Sequence, residues 1–170
     1  QEGMQIVGKY FEEGEYFLSE LIMSAEIFRE AADILGEAFK NESDSQAETI
    51  LIGTVKDDIH DIGKNIVVTL LQCNGFRVID LGVDVPHEKF VEAIKEHQPK
   101  IVGMSCLLTT AFDSMKNAIA AIEAAGLRDS CKILIGGGPT NDSTCEYVKA
   151  DAACQNAQAA VDKCKEILGV

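Results

Sequence analysis

The chain has 170 residues, a length that suits one full domain or one domain with a small attachment. Hydrophobic residues make up 46% of it and aromatic residues only 6%, so we expect a packed core of aliphatic side chains. The formal net charge of −13 argues against nucleic-acid partners, which require clustered lysine and arginine. We also expect no membrane partner, because no apolar run is long enough to span a bilayer and no signal peptide is visible.

The first forty residues predict two helices, over 4–13 and 17–40, with a break at Gly14. In the second helix, apolar residues recur every three or four positions, which is the period of one helix face. Two helices cannot bury both of their faces alone. We therefore expect them to pack on the following domain, on helices upstream of Gln1, or on a second subunit, which leaves a homo-oligomer open.

From residue 49 onward, short strands rich in Ile and Val alternate with helical segments. Strands are predicted at 49–55, 77–81, 100–105, 131–136 and 151–153, and helices at about 63–75, 87–97, 111–125, 140–149 and 155–168. This alternation predicts an α/β fold of the flavodoxin-like (Rossmann-like) class, with a five-stranded parallel sheet in the order 2-1-3-4-5. The predicted domains are a helical part over 1–41, a polar linker over 42–48 and the α/β domain over 49–170.

The six cysteines do not form any CxxC pair, and most fall at apolar positions of the predicted helices and strands. We interpret them as buried, reduced thiols of a cytoplasmic protein, and not as a disulfide or zinc framework. They are Cys73, Cys106, Cys131, Cys145, Cys154 and Cys164.

The predicted strand order places the carboxyl ends of strands one, three and four side by side, where open α/β sheets bind their ligands. These ends carry the loops DDIHDIG (57–63), SCLLTT (105–110) and GGGPT (136–140). They supply a histidine among carboxylates, several hydroxyls, and glycines that let a ligand approach the backbone. The nucleotide motifs GxxxxGK[ST] and GxGxxG are missing, so a large planar ligand is favoured over a nucleotide. The loop after strand two, DLGVDVP, is interpreted as structural.

The spacing of the three loops resembles the cobalamin-binding signature DxHxxG, SxL and GG. DxHxxG at 58–63 is followed by 41 residues before SxL at 105–107, and 28 residues then precede GG at 136–137. Residues 49–170 are therefore similar to the cobalamin domain of methionine synthase and of the corrinoid proteins of methyltransferase systems. The segment KYFEEGEYFLSELIMSAE (9–26) is similar to the helical cap of the methyl-transferring branch, of which the second half of a four-helix bundle is visible.

The resemblance implies a cobalamin cofactor that cycles between methylcobalamin and cob(I)alamin and is bound with its own base displaced. His60 would ligate the corrinoid cobalt from below, and Asp58 would accept the hydrogen of the other ring nitrogen, so these two form the expected catalytic pair. The other residues expected against the cofactor are Asp57, Ile59, Asp61, Ile62, Gly63, Ser105, Leu107, Thr109, Thr110, Gly136, Gly137, Gly138 and Cys154, with Phe11, Leu18 and Leu21 from the cap.

Two features beside the motifs need interpretation. Related proteins often carry a hydroxyl six residues after the SxL serine, whereas this chain has Ala111 there. The proton relay beyond Asp58 is therefore either shortened or continued by Thr110. Lys64 and Asn65, directly after the first motif, are interpreted as residues that serve the start of the next helix.

By resemblance, the function is that of a corrinoid carrier, one subunit of a multi-component methyltransferase and not a complete enzyme. It would receive a methyl group from a substrate-specific methyltransferase and pass it to a second methyltransferase that acts on tetrahydrofolate or coenzyme M. A reductive activase is a further candidate partner. The donor could be methanol, a methylamine, a betaine or a methoxylated aromatic compound, because specificity lies in the partner enzyme.

Three other classes share parts of the pattern. The cobalamin module of an adenosylcobalamin mutase has the three loops but lacks the methyl-type cap. A cobalamin-based sensor has a helical cap but needs a DNA-binding domain. A flavodoxin-like receiver domain would carry the motifs only by accident.

Overall fold

The computed structural model describes residues 2–39 and 47–170, so most of the predicted linker over 42–48 lies outside the described residues. The helices are α1 (Glu2–Glu12), α2 (Leu18–Phe39), α3 (Ile62–Cys73), α4 (His87–His97), α5 (Phe112–Ala124), α6 (Asp142–Val148) and α7 (Ala157–Leu168). The strands are β1 (Thr49–Thr54), β2 (Arg77–Asp80), β3 (Ile101–Ser105), β4 (Lys132–Gly136) and β5 (Ala152–Cys154). Short 3₁₀ turns precede α5 at Thr109–Ala111 and β4 at Arg128–Ser130.

The five strands form one parallel sheet in the order β2-β1-β3-β4-β5, which confirms the predicted fold class and topology. The register places the last residues of neighbouring strands side by side. Thr54 pairs with Ser105, Ser105 with Gly136, and Gly136 with Cys154. The loops that carry the three motifs therefore leave the sheet at one edge, next to one another.

Helices cover both faces of the sheet, as the run of apolar residues on every central strand requires. On one face, α4 and α5 bury large side chains such as Phe90, Met115 and Ile119 against the sheet. On the other face, α3 and α7 pack on the sheet through Leu71 and Val161.

The two N-terminal helices pack on the α3 and α7 side of the α/β domain. Met4 of α1 and Leu21 and Ala25 of α2 are buried in the same apolar cluster as α3 and α7. This contact is one of the three burial routes expected from the sequence. Other apolar residues of α2, among them Met23 and Ile27, remain exposed.

The cysteines are free thiols, as predicted, and five of the six are buried, whereas Cys145 is half-buried. In the part of the chain that the structure describes, no helix is both long enough and apolar enough to cross a membrane.

Candidate cofactor site

A cavity of about 340 Å³ lies between the sheet and the helices α3 and α7. At the carboxyl edge of the sheet it is lined by Ser105 and by Gly136 to Gly138. It also reaches Ile50 and Ile101, which pair with each other near the amino ends of β1 and β3. The cavity therefore runs along the sheet, and its inner walls are almost entirely apolar.

The helical part of the chain closes one side of this cavity. Phe11 of α1 and Leu18 of α2 line it, together with Gly63 and Lys64 at the start of α3. Leu21, which was predicted beside Leu18 on the cofactor, is instead fully buried in the packing of α2 and is not part of the cavity wall. The structure thus brings Phe11 and Leu18, but not Leu21, to the site.

His60 and Asp58 form a hydrogen-bonded pair on the loop between β1 and α3. The ring nitrogen Nδ1 of His60 lies 2.7 Å from Oδ1 of Asp58, and the backbone nitrogen of His60 donates to the same oxygen at 3.0 Å. The Asp58 side chain is 0% exposed, whereas that of His60 is 49% exposed. Because Nδ1 faces a carboxylate, the hydrogen of neutral histidine resides there, and the lone pair of Nε2 is available to a ligand.

Backbone amides of the second loop complete the surroundings of the Asp58 carboxylate. Its Oδ2 accepts from the backbone nitrogens of Leu107 and Leu108, at 2.6 and 3.0 Å. Burial alone would raise the pKa of Asp58, but the hydrogen bonds from His60 and these two amides outweigh it and lower the pKa to about 2. Asp58 is therefore an anion at neutral pH.

These contacts bear on the proton relay beyond Asp58. A carboxylate offers about four acceptor positions, and here two amides of the second loop and two nitrogens of His60 use them. No position is left for a hydroxyl, and Thr109 and Thr110 lie exposed in the 3₁₀ turn before α5. Thr110 therefore makes no hydrogen bond to Asp58, and the relay that the resemblance implies stays a prediction. The sequence could not reveal the amide donors, because every residue except proline carries one.

A buried thiol lies beside the same carboxylate. Sγ of Cys106 donates to the backbone oxygen of Leu108 at 3.2 Å. Burial, followed by the negative charge of Asp58, raises the pKa of this thiol to about 12. Cys106 is therefore a protonated packing residue and not a nucleophile.

Hydrogen bonds to residues outside it hold the histidine loop, residues 57–63, in place. Thr54, fully buried at the end of β1, donates its hydroxyl to the backbone oxygen of His60 at 3.0 Å. The backbone nitrogen of Asp57 donates to Oδ1 of Asp84, which lies in the loop after β2. This contact was not predicted, because the loop after β2 was interpreted only as structural, although the predicted strand order placed β2 next to β1.

Lys64 has a different role from the one that its position suggested. Its side chain is only 2% exposed and forms an ion pair with Asp80 at the end of β2. Its Nζ also donates to Oδ1 of Asn65 at 3.0 Å. The interpretation of Lys64 as a residue serving the helix start was therefore wrong: it is a buried cation that connects α3 to β2 and lines the cavity.

Gly137 and Gly63 both lie at the cavity, but only Gly137 is required by the packing of the protein itself. A Cβ on Gly137, whose φ is 131°, would lie 1.9 Å from the backbone oxygen of Cys106, so close packing of the two loops demands glycine. A Cβ on Gly63 would meet no protein atom within 4 Å. Nothing in the protein itself therefore requires glycine at 63, and the open space above it suits the close approach of a ligand.

Apart from Leu21, the predicted residues fall into two groups around this space. Those that line the cavity are Phe11, Leu18, Gly63, Ser105, Gly136, Gly137, Gly138 and Cys154. Those on the rim of the sheet are Asp57 to Ile62, Leu107, Thr109 and Thr110. Ile62 is 79% exposed, and Ile59 and Leu107 are also exposed. Apolar side chains left in water around one free imidazole nitrogen fit a planar macrocycle that carries a single metal, with a tail that enters the cavity.

Comparisons with known proteins agree with this geometry. Residues 48–163 match the B12 binding domain family, and residues 1–36 match a second family of the same description. The dimethylamine corrinoid protein 1 of Methanosarcina acetivorans is 39% identical over 167 residues, which cover 98% of this chain and 78% of that protein.

Solved structures give the same result. A cobalamin-binding protein from Desulfitobacterium hafniense superposes with a TM-score of 0.84 and 43% identity, over 97% of this chain and 78% of that one. A chain of the methanol:cobalamin methyltransferase complex from Methanosarcina barkeri superposes with a TM-score of 0.79 and 29% identity, over 99% of this chain and 64% of that one.

Proposed function

The chain belongs to the B12-binding corrinoid proteins of methyltransferase systems, and we propose that it carries a methyl group between two methyltransferases. Its cofactor is a corrinoid of the cobalamin type. The observation that carries the proposal is the pairing of buried Asp58 with half-exposed His60, on the loop that leads to the cavity at Gly63. When bound, the corrinoid supplies the cobalt atom that accepts and releases the methyl group.

We propose that His60 would hold the cobalt of the corrinoid through Nε2. Asp58 accepts the Nδ1 hydrogen and so fixes the tautomer that exposes the Nε2 lone pair. Because the Asp58 carboxylate is ionised, it also strengthens the donor character of the ring. The second hydrogen bond, from the backbone nitrogen of His60, limits rotation of the whole residue.

We assign the cavity to the displaced base and the tail of the cofactor. Ser105 provides a hydroxyl at its mouth, and Gly136 to Gly138 provide backbone without side chains. Further inside, apolar residues such as Ile101 and Leu134 exclude water from the aromatic base. A nucleotide base held there would be kept from competing with His60 for the cobalt.

We propose that α1 and α2, within the helical part predicted over 1–41, would form a cap over the corrin. Phe11 and Leu18 support this role, since both line the cavity together with Gly63 and Lys64 at the start of α3. An apolar cap would shield a reactive cobalt from water while no partner enzyme is bound.

The expected partners are a substrate-specific methyltransferase, an acceptor methyltransferase for tetrahydrofolate or coenzyme M, and a reductive activase. Relatives named for dimethylamine, and a complex named for methanol and cobalamin, support a methylamine or methanol as the class of methyl donor. The six free thiols support a location in the reducing cytoplasm.

The test is the paramagnetic resonance spectrum of the Co(II) form after the purified protein has been loaded with cobalamin. We expect nitrogen hyperfine splitting from a protein histidine, and it should change when the protein is labelled with ¹⁵N-histidine. The variant His60→Ala should retain cobalamin but lose this splitting. The matched control His97→Ala, at the end of α4, should keep it.

Failure to bind cobalamin, or binding with the cofactor's own base on cobalt, would overturn the proposal. Protein-derived splitting that persisted in His60→Ala would refute the assignment of the ligand. Methyl transfer itself is tested by loading the chain with a ¹⁴C-methyl group and adding each candidate acceptor enzyme with its acceptor.

A further inference from the structure

Two aspartates with left-handed backbone conformations face each other across two loops. Asp57, in the histidine loop, has φ of 68°, and Asp84, in the loop between β2 and α4, has φ of 51°. The backbone nitrogen of Asp57 donates to Oδ1 of Asp84 at 2.8 Å. In return, the backbone nitrogen of Asp84 donates to the backbone oxygen of Asp58 at 2.9 Å. The two loops are therefore joined in both directions, immediately before His60.

The β2–α4 loop is itself fixed to the sheet and to α3. The backbone nitrogen of Thr54 donates to the backbone oxygen of Gly82 at 3.0 Å. The backbone nitrogen of Val85 donates to the backbone oxygen of Thr54, also at 3.0 Å. Asp80 accepts from the backbone nitrogen of Gly82 at 2.9 Å and pairs with buried Lys64. Asp84 of the β2–α4 loop thus contacts the histidine loop at its start, and Asp80, the last residue of β2, holds Lys64, which directly follows the end of that loop.

A third hydrogen bond connects Asp57 to α5, which packs on the face of the sheet opposite to α3. Oγ of Ser114, on α5, donates to Oδ2 of Asp57 at 2.8 Å. Asp57 is thus held by one residue of the β2–α4 loop and by one residue of α5. These bonds matter because the next residues, Ile59 to Ile62, are exposed and have little packing to hold them.

From these contacts we propose that Asp84 is a positioning residue for His60. The hydrogen bond from the backbone nitrogen of Asp57 to the Asp84 carboxylate fixes the position of the His60 imidazole. Left-handed conformations are disfavoured for residues other than glycine, so such a pair persists only where surrounding contacts over-determine it. Asp84 does not touch the cofactor site. It fixes the backbone of Asp57 and Asp58, and Asp58 then fixes the ring.

This inference rests on the proposed role of His60, and two substitutions at one position test it. Asp84→Asn keeps both a residue that tolerates the left-handed conformation and a side-chain oxygen that can accept from Asp57. Asp84→Gly allows the same backbone conformation but removes the acceptor. A difference between these variants therefore reports the hydrogen bond and not the backbone strain.

For Asp84→Gly, we expect a weakened nitrogen hyperfine splitting in the Co(II) form and affinity for cobalamin lower by about tenfold, the lower end of losses seen when groups behind a metal ligand are removed. Asp84→Asn should resemble the wild type in both. In the cofactor-free protein, the amide hydrogen of Asp57 should exchange faster in Asp84→Gly than in Asp84→Asn. If Asp84→Gly does not fold, Ser114→Ala, which removes the other anchor of Asp57, should show the same changes to a smaller degree.

Wild-type splitting and affinity in Asp84→Gly would overturn the inference and leave the proposed function intact. Equal losses in Asp84→Asn and Asp84→Gly would also overturn it, since charge would then matter and not the hydrogen bond. If the wild type itself lacks histidine splitting, the proposed function fails first and the inference falls with it.

Discussion

The carboxylate of Asp58 holds His60 through one oxygen, which lies 2.7 Å from the ring nitrogen Nδ1 and 3.0 Å from the backbone nitrogen of the same residue. The other oxygen accepts from two amides of the neighbouring loop. The carboxylate therefore connects the loops after β1 and β3 and orients the imidazole at the same time. Substitution of Asp58 should affect both roles, and the two can be measured separately.

The electronic role is tested by Asp58→Asn in the cobalamin-loaded protein. With His60 as the proposed cobalt ligand, removal of the negative charge would weaken its donor strength, so the Co(II)/Co(I) midpoint potential should shift to a more positive value. The methylation rate should fall about tenfold or more, as is typical when the partner of a ligating histidine is lost. Spectroelectrochemistry gives the potential. Asp129→Asn, in the turn before β4, removes the same charge far from the loop and serves as the control.

An unchanged potential and an unchanged methylation rate in Asp58→Asn would mean that Asp58 only holds the two loops together.

The structural role of Asp58 predicts a particular acid sensitivity of the cofactor-free protein. Its pKa is lowered from 3.8 to about 2 in the folded state, so folding favours the ionised form. The resulting stabilisation, on the order of 2 kcal/mol, is present above the unfolded pKa near 4 and is lost as the pH falls toward 2. Urea unfolding between pH 7 and pH 2.5 should show this loss. The loss should be smaller by about that amount in Asp58→Asn, and an equal loss in both proteins would contradict the assignment.

Two neighbouring glycines should respond very differently to alanine. In Gly137→Ala the new Cβ would lie 1.9 Å from the backbone oxygen of Cys106, and φ would remain at 131°. We expect destabilisation of about 3 kcal/mol or more, or an insoluble protein. In Gly138→Ala the Cβ would meet only Cδ1 of the Leu107 side chain, at 3.3 Å, and the change should stay within about 0.5 kcal/mol. Unfolding curves that rank the two variants alike would refute this account.

Gly63→Ala should have opposite effects on folding and on binding. No protein atom lies within 4 Å of the added Cβ, and alanine is the better helix former, so the cofactor-free protein should gain up to about 1 kcal/mol. The same methyl group enters the space at the mouth of the cavity, so affinity for cobalamin should fall. Thermal unfolding and equilibrium titration measure the two quantities. A variant that is more stable and binds cobalamin normally would show that the cofactor does not approach Gly63.

The ion pair between Lys64 and Asp80 should be asymmetric in its energetics. The lysine side chain is 2% exposed and the aspartate side chain 32% exposed. Asp80→Ala leaves a buried ammonium without its carboxylate and should cost about 3 kcal/mol, whereas Lys64→Met leaves a partly hydrated carboxylate and should cost about 1 kcal/mol. Denaturant unfolding distinguishes the two variants. Equal costs, or the reverse order, would show that the burial of Lys64 does not control the energy of the pair.

The sequence was most informative where a pattern repeats. The strand order and the adjacency of the three loops follow from alternating apolar runs, and the sheet places Thr54, Ser105, Gly136 and Cys154 in register as that order requires. The sequence was least informative where a contact is made by backbone atoms or depends on how deeply a residue is buried. The amides of Leu107 and Leu108 carry no sequence signal.

Helical spacing alone also could not predict which apolar residues of α2 line the cavity and which are buried in the core. Leu18 and Leu21 share one face of α2, yet Leu18 lines the cavity and Leu21 is fully buried in the core. Lys64 was interpreted as a residue that serves the helix start, since the sequence does not show that it is buried against a carboxylate sixteen residues away, at the end of β2.

The cavity lies inside the apolar layer between the sheet and α3 and α7, with Leu71 and Cys164 in its wall. A group that binds there fills part of the protein's own interior, so its binding energy adds directly to the energy of folding. The loaded chain is then the more durable one, and the cofactor-free chain opens more often to proteases. A ligand held in this layer would therefore protect the chain from proteolysis to a degree set by its concentration relative to its dissociation constant.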